Sequence, residues 1–137
     1  MAKKKVWKFR KTTLGVLKAA YGFISDKNRW TTGTRFRFGE EPARPRDLPP
    51  GRGQDLEFYR RIYEEGNVCA VGALELFGDD LPQCQKAKEA LASAIAGYPT
   101  IDTADGVIWY TNDGSGRGHG HKAILRAFRK AIRARTR

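Results

Sequence analysis

The residues best suited to chemistry crowd into one short stretch. Asn112, Asp113, Arg117, His119 and His121 follow one another in a loop punctuated by Gly114, Gly116, Gly118 and Gly120. His119 and His121 are the chain's two histidines, and Cys69 and Cys84 its two cysteines. Three chemistries fit these residue types. A Cys–His pair is one: Cys69 falls two residues after Asn67, in the first turn of an expected helix, where the helix dipole favours thiolate. His121, or His119, would be the base and Asn112 or Asp113 would orient it, for acyl or peptidyl transfer. Against this stands the rule that free cysteine is among the most buried residue types.

An anion site is the second. Alternate glycines bring backbone N–H groups close to a ligand, a following helix presents its positive end, and Arg117 adds a bidentate grip. The spacing nevertheless misses both nucleotide-phosphate fingerprints. There is no G-x-x-x-x-G-K-[ST], and His119 stands where the dinucleotide pattern needs its third glycine. That argues against a nucleotide hydrolase and leaves phosphate-backbone binding open. The third, a metal centre on His119, His121 and Asp113, lacks the ligand count zinc requires, and no C-x-x-C or H-E-x-x-H is present. No metal and no cofactor are expected.

Charge supplies an independent argument. The 137 residues carry a formal net charge of +11. Half of the 26 cations lie at the two ends. Residues 1–11 hold Lys3, Lys4, Lys5, Lys8, Arg10 and Lys11, and residues 122–137 hold Lys122, Arg126, Arg129, Lys130, Arg133, Arg135 and Arg137, with no acid in either segment. The body between them is slightly acidic. Two basic ends on a near-neutral body suit nucleic acid or another polyanion. The candidate contacts are Lys3, Lys4, Lys5, Lys8, Arg10, Arg117, Arg126, Arg129, Lys130 and Arg133, with Trp7 and Phe9 interleaved for base stacking. Two cysteines are too few for a disulfide framework, no apolar run approaches the roughly 18 residues of a membrane span, and residues 1–11 lack a secretory apolar core. A cytoplasmic setting follows.

The elements that must position these residues are mostly helical. Leu14, Leu17, Tyr21 and Ile24, backed by Val16, Ala20 and Phe23, recur at helical spacing over residues 12–26, with Thr12 or Thr13 as cap. Residues 34–38 alternate polar and aromatic, the pattern of a half-buried strand. Residues 40–54 are rich in proline and glycine and read as a long internal loop. Helices are expected over 55–65, over 68–77 with Asn67 as its cap, and from Pro82 to about Ala96. The 68–77 run is apolar nearly all round and should be buried centrally. Residues 107–111 are apolar and β-prone and read as a second strand. A basic amphipathic helix begins at about His121. The expected fold is mainly α, a single domain of four to five helices packed around the 68–77 segment, with a minor two-stranded β element.

Three blocks of the chain also resemble a known family. Trp30-Thr-Thr-Gly33, Cys69-Ala-Val-Gly-Ala-Leu74, and Asn112-Asp113 with Gly116-Arg117 and a following histidine are similar to W-T-x-G, C-A-x-G-A-L and W-N-D-x-P-G-R-x-H. This is the pattern of a domain-of-unknown-function family of small bacterial and phage proteins. Here Thr111 stands in place of the tryptophan and Ser115 in place of the proline. The resemblance implies that Trp30, Gly33, Cys69, Gly72, Asn112, Asp113 and a histidine share one polar cluster; helix phase selects His121. It implies no reaction. Together these readings point to a small cytoplasmic accessory protein, phage-encoded, that binds nucleic acid or another polyanion through its basic ends. The alternatives are a hydrolase or transferase using Cys69, His121, Asp113 and Asn112, and an inhibitor of a host protein.

Overall fold

The computed structural model describes residues 7–38, 41–42, 56–79, 81–96, 103–114 and 118–136. Among the described residues six α-helices dominate: α1 Thr13–Ser25, α2 Leu56–Glu65, α3 Ala70–Gly78, α4 Pro82–Ala96, α5 Ala104–Asp113 and α6 His121–Arg135. Three short strands, β1 Phe36–Phe38, β2 Glu41–Pro42 and β3 Asn67–Val68, form an antiparallel sheet in the order β2-β1-β3.

The fold is mainly α with a minor β element, as the sequence indicates. Helix α1 starts where its cap predicts: the Thr12 side chain accepts from Gly15 N at 2.9 Å. Its Val16, Leu17, Ala20 and Ile24 are buried. Helix α3 is buried along nearly its whole length and packs against α1, α4 and α5. It is the centre of the core, and Gly72 permits this. A Cβ there would lie 2.1 Å from the Arg35 carbonyl oxygen, so only glycine lets α3 approach the backbone entering β1. Phe36 is buried against Phe58 and Tyr59, so the aromatic side of β1 is a core face.

The expectation of a strand at 107–111 is overturned. Those residues lie inside α5, and β1 pairs instead with residues 41–42 and 67–68. Local β propensity loses to a cap and to packing. Thr103 Oγ1 accepts from Gly106 N at 3.0 Å, and Ala104, Val107, Ile108 and Thr111 fall on one helical face buried in the core. The start of α3 is corrected too: Asn67 and Val68 are in β3, and the cap is Cys69. The proline-rich stretch 40–54 lies outside the described residues except for 41–42.

Trp7 and Phe9 are not free for base stacking. Trp7 Nε1 donates to Leu76 O at 2.7 Å, and both rings pack on Tyr59. Arg10 N donates to Phe77 O at 2.8 Å, and Gln83 Nε2 donates to Arg10 O at 3.1 Å. Residues 7–10 are thus strapped to the end of α3 and the start of α4.

Candidate functional site

Asn112 is wholly buried and is the hub of the polar cluster. Its Oδ1 accepts from Trp30 Nε1 at 2.8 Å and from Ala70 N at 3.0 Å. Its Nδ2 donates to Thr31 O at 3.1 Å and to Asp113 Oδ1 at 2.7 Å. One amide therefore joins α5 to the segment after α1 and to the first turn of α3. His121, at the first position of α6, packs its ring on Trp30 with centroids 4.9 Å apart. Its Nε2 donates to Ile24 O at 2.6 Å, which satisfies a carbonyl at the end of α1. Gly120, at a positive φ of 91°, lets the chain turn into α6 while its N–H donates to Thr111 O at 2.8 Å. So most of the residues behind the resemblance converge: Trp30, Asn112, Asp113 and the Cys69-Ala70 turn share one hydrogen-bonded knot, and His121 joins it through its ring contact with Trp30, so that four helices meet there.

The bonds of that knot hold segments of the fold together. Cys69 is buried, and its Sγ accepts from Gly72 N at 3.4 Å as a helix cap. The expectation that the helix end lowers its pKa is reversed. Burial pushes the thiol up to about 11, overriding the smaller opposing hydrogen bonds from Gly72 and the Trp109 indole. His121 uses one ring nitrogen on a main-chain carbonyl, and the Asn112 amide is fully engaged. Among the described residues no hydrogen bond joins Cys69 to His121, Asn112 or Asp113. His119 lies apart from the knot, its Nδ1 3.0 Å from Tyr110 O and its ring edge-on to Tyr110. Among the described residues no group of histidine, cysteine and carboxylate side chains could hold a metal ion.

A second polar cluster gave no sequence signal. Lys88 is buried, and its Nζ lies 2.9 Å from Glu75 Oε2 and 3.2 Å from Asp105 Oδ2. Arg35 reaches the same two carboxylates, at 3.6 and 3.9 Å. Burial by itself would lower the Lys88 pKa, but Glu75 and Asp105 reverse that and raise it. Single acids and bases on four different segments carry no spacing pattern, so only the packed fold reveals them. Nearby, burial foremost and then its hydrogen bond to Asp79 drive the Tyr59 hydroxyl far above the usual tyrosine range.

The cations of α6 behave differently. Lys122, Arg126, Arg129, Lys130, Arg133 and Arg135 are all exposed, and α6 contains no acid. Among the described residues none of them has an ion-pair partner, whereas Arg35, Arg60, Arg61 and Lys88 do. Ile124, Ala127, Phe128 and Ala131 bury the opposite face. Arg126, Arg129, Lys130 and Arg133 border a shallow cavity of about 480 Å³. Arg129 Nη1 also donates to Tyr21 Oη at 3.3 Å, which joins this face to α1, a helix with no acidic residue. Of the other predicted contacts, Lys8 and Arg10 lie on the strapped segment, while Lys3, Lys4, Lys5 and Arg117 lie outside the described residues.

No helix among the described residues is long and apolar enough to cross a membrane. No curated protein and no solved structure matches the chain. A family model does match, over residues 8–134, and it takes in every element from α1 to α6. With the knot and nearly the whole chain inside that match, the protein belongs to the family of unknown function DUF6197.

Proposed function

We propose that this is a cytoplasmic accessory protein that binds nucleic acid or a similar extended polyanion, with α6 lying along the phosphate backbone. The observation that carries the reading is the uncompensated charge of α6: six exposed cations on one helix, none of them paired among the described residues. Like charges three and four residues apart destabilise a helix that has no partner. A polyanion relieves that repulsion and releases counterions. Arg126, Arg129, Lys130 and Arg133 recur at helical spacing on the exposed side, so they would follow a backbone rather than read bases. Recognition would therefore tolerate sequence.

Fluorescence anisotropy with labelled duplex and single-stranded 20-mers, titrated from 50 to 200 mM salt, tests this. Four phosphate contacts on duplex DNA predict a slope of log K against log salt of about −3.6, which is a roughly 100-fold loss of affinity over that range. Substituting Arg126, Arg129 and Lys130 with Gln should flatten the slope to about −1. Absent binding, or binding insensitive to salt and to these substitutions, refutes the proposal.

A further inference from the structure

On the other side of α1 from Arg129's contact lies a groove of about 460 Å³, bordered by Arg10, Lys18, Phe23, Arg29, Tyr63 and Phe77. Its arginines are set on aromatic rings. The Arg29 guanidinium sits 4.3 Å from the Phe23 centroid and that of Arg10 sits 5.9 Å from the Phe77 centroid. Phe23 in turn stacks on Tyr63, with centroids 5.7 Å apart. Arg29 is fixed further: Nε donates to Gly66 O at 2.8 Å, and Nη2 donates to the Ile62 and Tyr63 carbonyls. These bonds leave Nη1 without a partner among the described residues. Arg10 Nε is shut off from solvent and also lacks a partner. A buried donor left unpaired opposes folding, so a fold that keeps one needs another reason for it. The single acid bordering the groove, Asp26, accepts from Asn28 N at 2.9 Å and caps the short helical turn Lys27–Arg29.

We propose that this groove binds a phosphate group. Three cations against one acid leave an excess of two positive charges, which matches a dianion. Planar guanidinium groups held on rings recognise phosphate oxygens with little loss of side-chain freedom. The volume admits a phosphate with an organic moiety attached. The site is separate from the α6 face, so it stands or falls independently of nucleic-acid binding there. The phosphate could come from a phosphorylated small molecule or from the 5′ end of a strand.

Thermal unfolding at constant ionic strength, with chloride exchanged for up to 10 mM inorganic pyrophosphate, is the test. Wild type should gain about 3–6 °C in Tm. Arg10→Met should lose that gain, and its own Tm without ligand should equal or exceed that of wild type, because the unpaired Nε is gone. Lys18→Gln, on the exposed side of α1, should at least halve the gain. The variant with Arg126, Arg129 and Lys130 changed to Gln should keep it in full. An absent shift in wild type, an undiminished shift in Arg10→Met, or loss of the shift in the α6 variant overturns the proposal. Comparison of 5′-phosphorylated and 5′-hydroxyl heptathymidine then separates the sources. A preference of at least fivefold for the phosphorylated strand that Arg10→Met abolishes assigns the site to strand ends; equal affinity, with the pyrophosphate shift retained, assigns it to a small molecule.

Discussion

Asn112→Ala strips the polar knot of its hub, and the loss can be worked out bond by bond. The substitution deprives Trp30 Nε1 and Ala70 N of their acceptor and Thr31 O of a donor. Ala70 is fully buried and Trp30 partly so, which limits replacement by water. Each buried donor left unsatisfied costs about 1–3 kcal/mol. Two of them give roughly 4 kcal/mol, a large share of the 5–15 kcal/mol typical of a whole domain. At this chain length that corresponds to a Tm lower by about 12–16 °C. Urea unfolding followed by circular dichroism and tryptophan fluorescence measures it. Asn112→Asp is the informative companion. It keeps the acceptor for Trp30 and Ala70 but places a carboxylate against Thr31 O and Asp113. Its pKa in the folded state should rise above its unfolded value, so the protonated form binds more tightly to the fold. Stability relative to wild type should therefore be greatest at low pH and should fall as pH rises through the folded pKa. A loss below about 1 kcal/mol in Asn112→Ala, or a pH-independent defect in Asn112→Asp, refutes the view that this amide holds the helices together.

The thiols offer another check. With the Cys69 pKa near 11 and that of Cys84 near 12, both raised by burial, native protein at neutral pH should resist iodoacetamide until denaturant is added; rapid labelling of the folded state would contradict the structure. Both thiols keep their protons in the folded state where unfolded thiols begin to ionise. Their contribution is complete below about pH 9 and is lost as pH rises through about 11, so alkaline unfolding should set in there and Cys69→Ala should blunt it. Gly72→Ala should cost about 3 kcal/mol or more, seen as a lower Tm and soluble yield, because its Cβ would strike main-chain atoms of Arg35 that cannot rotate away.

Much of the helical frame was legible because period and punctuation agree there. Thr12 marks the start of α1, Pro82 that of α4, and the apolar stripe of residues 124–132 phases α6 so that it begins at His121. The segment 107–111 was not legible locally. Val, Ile, Trp, Tyr and Thr are all good strand formers, and the decisive facts are the Thr103 cap and contacts with α3, α4 and α6. The convergence of Trp30, Asn112 and His121 could be read only through the resemblance, since no local spacing links residues so far apart. What that convergence does had to come from the structure. A buried thiol with a raised pKa and a saturated amide are not visible in residue types. The phosphate-binding groove was beyond reach as well: its cations and rings come from five separate stretches of chain, and only Arg10 stood out beforehand.

The polar knot also governs the order in which the chain can fold. Trp30 and Asn112 are 82 residues apart, and Ile24 and His121 are 97 apart. Closing loops of that length must be compensated by contacts that form only once the last helix exists. A nascent chain on the ribosome therefore holds the tie point of α3 open until residue 112 has emerged, and that of α1 until residue 121 has. Docking of α6 is then the last of these ties to close, and the basic helix takes its place in the same step that completes the knot.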